Sequence, residues 1–200
     1  MSPPQEIYGP EFDESPELHE RNLRIAVRVI SGSTIMFFFS FAFGYVYLRS
    51  VDSHGRWNEG DLAAPDGYGV AIVALFVLAA VALSAADVTA KRRRPWLAPA
   101  GISLAALIVA VVLQCIEYAH LEFTPDGGGF TSVFYGWTIF LALFALGSAY
   151  FTTVLIAEGW RYRREESQPG PLPGMEEAAF YLRLLALIAV IAWVLLYLLR

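Results

Sequence analysis

Gln114, Glu117 and Tyr118 stand in LQCIEYAHLEF, Leu113 to Phe123, at the end of an apolar run from Leu97 to Ile116. An ionisable residue in a membrane-length segment is a functional candidate by default. On a helix, positions i, i+3 and i+4 form one contiguous patch, so an amide, an acid and a phenol would meet there. Two chemistries fit. The patch can be a polar clasp to a neighbouring helix or to the following loop, or Glu117 can be an acid that carries a proton or binds lipid. Because the patch falls at the end of the run, Glu117 need not be fully buried. We expect a fastening rather than a catalyst.

The other chemistry-bearing residues point to plainer roles. A haem held between membrane helices usually needs axial imidazoles. The three histidines are His19 near the N-terminus, His54 in the first loop and His120 at the end of the third span, none at mid-membrane. Cys115 is the single cysteine, so no intrachain disulfide is expected. Gly127–Gly129 follow a Pro-Asp turn and open no phosphate-binding loop. No catalytic, cofactor or metal site is therefore expected in this chain. Asp87 and Lys91 have i,i+4 spacing, which puts them on one helix face as an interfacial ion pair. Arg183 lies about one turn inside the last apolar segment, where its long side chain can snorkel to the headgroups and meet a lipid phosphate.

Positioning these residues requires long apolar elements, and composition supplies them. The chain has 200 residues of which 16% are charged, and its mean hydropathy is +0.50. That leaves too little polar surface for a water-soluble domain of this size. A bilayer-spanning helix needs roughly 20 predominantly apolar residues. Five segments meet or approach this: about 25–48, 68–86, 96–116, 130–157 and 178–199. The expected fold is an all-α, polytopic transmembrane bundle over residues 25–200, preceded by an acidic, Pro-containing cytoplasmic tail over 1–24. The tail lacks the basic start and short apolar stretch of a secretory signal. Arg21, Arg24, Lys91–Arg94, Arg161, Arg163 and Arg164 would share one side of the membrane, against Arg49, Arg56 and Arg200 on the other. That bias predicts the N-terminus inside and the C-terminus outside. A net charge of −5 and the lack of a basic-aromatic surface pattern argue against a nucleic-acid partner.

Several stretches together resemble subunit III of the haem-copper oxidases in its short five-helix bacterial form. GSTIMFFFSFAFGYVYLR, Gly32 to Arg49, is similar to that family's S-E-x-M-F-F…Y-x-x-x-R helix, and Trp57 with Pro65 to its W…P loop. LQCIEYAHLEF is similar to its Q-x-x-E-Y signature, SVFY at Ser132–Tyr135 to the start of the next helix, and VLLYLLR to the closing segment. The resemblance implies a non-catalytic subunit of cytochrome c oxidase, in the inner (plasma) membrane of a bacterium. Such a subunit has no redox centre or active site of its own. Haem and copper reside in the partner subunits I and II, and it packs against the catalytic one. It encloses membrane lipids in a cleft between its helices, and supports oxygen access, proton uptake and the durability of the catalytic subunit.

The departures fall on buried polar positions. Thr34 stands where the family has a membrane-embedded glutamate. Leu141 and Phe144 stand at the two histidines of T-G-F-H-G-L-H, and Arg183 and Ala186 at the His and Asp of Y-W-H-F-V-D. Only Gln114, Glu117 and Tyr118 transfer as matched polar positions, which favours a scaffold and lipid holder. An accessory subunit of a nitric oxide reductase is the alternative within the same superfamily. A small transporter is a rival from another class, disfavoured because the chain shows no internal repeat and Gly32, Gly44 and Gly136 lie near span ends.

Overall fold

The computed structural model describes residues 16–52, 55, 57–58, 62–164 and 172–199, without the side chains of 16, 17, 19 and 162–164. The acidic residues 1–15, the side chains of His19, His54, Arg56, Arg163 and Arg164, and Arg200 therefore lie outside the described residues. Every regular element among those described is helical: α1 (Pro16–Val51), α2 (Asp66–Lys91), α3 (Leu97–His120), α4 (Gly129–Arg164) and α5 (Met175–Trp193), the last continuing into a π-turn at Val194–Leu198. Among the described residues five helices are long and apolar enough to cross a membrane. The first four helices outrun the spans expected, most of all at two bounds. α1 already begins at Pro16, taking in residues assigned to the tail, and α4 runs beyond Ala157 to Arg164. Both extensions carry charged residues, which satisfy helix geometry without satisfying a hydropathy window.

α2 packs most extensively on α3 and α5, α3 on α4, and α1 against α4 and α5. The α2–α3 seam explains itself from composition. Ala79, Ala86 and Ala90 of α2 and Ala100, Ala106 and Ala110 of α3 are all buried, and small side chains let two backbones approach where lipid offers no hydrophobic drive to associate. Within the seam, the Ser103 hydroxyl donates to the Ala79 carbonyl oxygen at 2.9 Å. Ser103→Ala should cost about 0.6 kcal/mol, the mean for interhelical hydrogen bonds in a bilayer, read as a small shift in a reversible mixed-micelle unfolding curve.

The helix ends are tied by polar contacts. At one end Lys91 Nζ pairs with Asp87 at 3.0 Å, as the spacing predicts, and also reaches Glu176 at 2.7 Å, while Arg24 meets Glu177 at 3.4 Å. At the other end Trp57 is buried between Tyr45 and Phe130. Its carbonyl oxygen accepts the Phe130 N–H at 2.9 Å, which seats the first loop on the start of α4. Tyr45 Oη donates to the Leu199 carbonyl oxygen at 2.7 Å, and Arg49 Nη1 donates to both. The end of the chain's last helix is thus held by the last turns of its first.

Candidate functional site

Glu117 is fully buried, at 0% exposure, and Gln114 is 4% exposed. A place near the end of the third span left the acid free to be partly open, and in the structure it is covered. The reason lies in α5, which passes beyond Trp193 as a π-turn and brings Tyr197 across the end of α3. Glu117 Oε2 accepts from Gln114 Nε2 and Oε1 from Tyr197 Oη, each at 2.6 Å. The tyrosine ring fits because residue 69 is glycine: a Cβ there would stand 2.6–2.9 Å from three of its ring carbons. Phe134 closes the other side, its ring centroid 5.8 Å from that of Tyr197.

Tyr118 does not join this group. Consecutive residues point about 100° apart around a helix with 3.6 residues per turn, and Tyr118 faces α4. Its hydroxyl donates to Thr138 Oγ1 at 2.8 Å, and Thr138 in turn donates to the Phe134 carbonyl oxygen at 2.7 Å. Tyr135 lies beside it at 5.3 Å between ring centroids and donates to the Phe123 carbonyl oxygen at 3.0 Å. The single patch of the sequence is therefore two polar groups. One clasps α3 to the π-turn and one clasps α3 to α4. Tyr197 and Thr138 were missed by sequence reasoning. A lone phenol in VLLYLLR was the only signal for Tyr197, and Thr138 carried none beyond its hydroxyl.

The positions at which the chain departs from the resemblance are filled consistently. Thr34 is buried, donates to the Ile30 carbonyl oxygen at 2.8 Å and meets Tyr181 Oη at 3.0 Å, making a small polar link from α1 to α5. Leu141 and Ala186 are core residues. Arg183 is exposed, and its Nε donates to the Ala179 carbonyl oxygen of its own helix at 3.2 Å. His120 is exposed, bonded to the Ile116 carbonyl oxygen at 2.8 Å and stacked on Tyr68, and Cys115 is exposed on the apolar surface. Among the described residues no three His, Cys, Asp or Glu side chains group to hold a metal ion.

Between α1, α4 and α5 runs a cleft of about 370 Å³, bordered by Ile30, Phe144, Gly147, Phe151, Ala178 and Tyr181. Its walls are almost wholly apolar. Glu177 borders it and also the neighbouring polar recess that holds Arg24, Asp87, Lys91 and Glu176. The chain matches no protein-family model, and no curated protein matches its sequence.

Proposed function

We propose that this chain is a non-catalytic membrane subunit of the subunit III type, packing against the catalytic subunit of a respiratory haem-copper oxidase and holding lipid in the α1–α4–α5 cleft. One observation carries the reading. The stretches that bear the resemblance lie far apart in sequence and meet in space. Glu117 of QCIEY accepts from Tyr197 of VLLYLLR at 2.6 Å. Tyr45 and Arg49 of the first helix hold Leu199 of that same closing segment. Trp57 of the W…P loop seats on Phe130 beside SVFY. Residues that serve one another structurally form a more specific pattern than the same residues scattered along a chain.

In this reading subunits I and II carry the haem and copper, and electrons reach oxygen through them alone. The chain sits in the inner membrane of a bacterium. The lean of arginines and Lys91 toward the start of α1 and the α2–α3 link supports a reading with that end and the N-terminus inside and the C-terminus outside. The test is gentle detergent purification of the tagged chain. Haem absorbance and copper should co-elute with it, together with tightly held phospholipid. A colourless chain eluting alone would refute the oxidase assignment, and nitric oxide consumption without oxygen consumption would move it to a nitric oxide reductase.

A further inference from the structure

A space of about 20 Å³ lies between α2, α4 and α5 and the flank of α3. Gln114, Thr138, Trp193 and Tyr197 are its polar neighbours, among apolar residues that include Ile72 and Ala192. One water needs about 10–15 Å³ of such volume and two to four polar partners, and the space has the volume and four polar residues on its border. Trp193 Nε1 is a buried donor without a partner. Thr138 Oγ1 accepts once, from Tyr118, and donates once, to Phe134, which leaves it a second lone pair. Gln114 uses one amide proton on Glu117 and has a carbonyl oxygen besides.

We propose that this space binds one water, and that the water joins the two polar groups into a chain through which Glu117 holds and exchanges a proton inside the membrane. Glu117 is buried with no basic side chain paired to it among the described residues. A carboxylate buried without counter-charge is strongly disfavoured, and since no cation of the described residues pairs with it, a proton is what neutralises it. Among the described residues the titratable groups around the site are acids: Tyr197 on the π-turn, bonded to Glu117, then Tyr118 next to it on α3, Tyr135 of α4 beside Tyr118, and Asp66 at the head of α2. The separation of 2.6 Å between Tyr197 Oη and Glu117 Oε1 is that of an O–H···O bond able to run in either direction. Glu117 passes its proton to Tyr197 Oη as Tyr197 releases its own to the water. A proton returning along the same path restores both groups, so no charge is left behind. The site belongs to this chain's own residues, whatever complex it enters.

The test is infrared spectroscopy of the purified protein, with any subunits that accompany it, in phospholipid vesicles moved from H₂O to D₂O. A carboxylic-acid carbonyl band should be present in the wild type, absent from Glu117→Gln, and shifted to lower frequency in D₂O. Thr138→Val removes the hydroxyl with little change of shape, and Ala192→Ile fills the space. Both should keep the band and slow its shift by about tenfold, the factor carried by one lost hydrogen bond of ordinary strength. No acid band lost in Glu117→Gln, or a band unmoved by D₂O, would overturn the proton site. A shift as fast in both filling variants as in the wild type would overturn the water.

Discussion

Gly159→Ala should lower the free energy of unfolding by about 3 kcal/mol, near the upper end for overpacking a filled core by one methyl group. A Cβ at residue 159 would stand 2.4 Å from two atoms of the Trp96 indole. Trp96 is itself 2% exposed, and its rigid ring has no free direction in which to swing. The α3–α4 contact must therefore open or the ring must leave its rotamer. In an open helix the same change would be favourable by about 0.8–1.0 kcal/mol, since alanine is the better helix former. Gly101→Ala, whose Cβ would meet nothing within 4 Å, serves as that control and should be neutral or stabilising. Trp96→Phe shortens the side chain at the clash. Its indole N–H has no hydrogen-bond partner, so the cost is mainly packing and stays below the roughly 3–5 kcal/mol of truncation to alanine. The double variant should then be less destabilised than the two single changes added together, with a coupling on the order of 1–3 kcal/mol. Reversible unfolding in mixed micelles reads all four. A Gly159→Ala protein as stable as the wild type would mean that α3 and α4 do not meet at this point.

Tyr197→Phe and Tyr118→Phe should differ, although each deletes one phenolic hydroxyl. Without Tyr197 Oη, Glu117, itself 0% exposed, loses the donor to Oε1. Leaving a buried polar atom of the carboxyl group unsatisfied costs about 1–3 kcal/mol. Without Tyr118 Oη, Thr138 still donates to the Phe134 carbonyl oxygen. Only an ordinary net hydrogen bond of about 0.5–1.5 kcal/mol is lost. In a Glu117→Leu background Tyr197→Phe should cost much less, because the orphaned acceptor is gone. Equal losses from the two tyrosines would restore the single patch that the spacing suggests. The same comparison bears on register: Tyr197 reaches Glu117 only because α5 ends in a π-turn, and π-bulges occur frequently at functional sites.

The resemblance has a parallel consequence for the buried polar positions. Thr34, Leu141 and Ala186 stand where that family has ionisable groups, and each is accommodated here without one. Glu117 is the buried acid among the positions that the resemblance matches. Its partners are an amide and a phenol rather than a cation. A clasp between α3 and the π-turn and a proton-exchanging acid are compatible roles, since the same two hydrogen bonds serve both.

What could be read from the sequence was whatever depends on one helix at a time. Runs of apolar residues long enough for a bilayer fix the existence and number of spanning helices, because a backbone in lipid must satisfy its own hydrogen bonds. The Asp87–Lys91 pair was legible for the same reason, its spacing being a property of a single helix face. Charged extensions of α1 and α4 were not, since hydropathy measures burial in lipid and helices outlast it. The candidate site was half legible. Gln114 and Glu117 are one turn apart on α3, so their contact follows from helix geometry, whereas the companions of Glu117 and Tyr118 come from other elements. Tyr197 is 80 residues from Glu117, the glycine that makes room for its ring stands on α2, and Thr138 stands on α4. Which helices neighbour one another, where a π-turn re-aims a side chain, and whether an acid near a helix end is covered or open are decided by packing among elements. No local pattern in the chain encodes them.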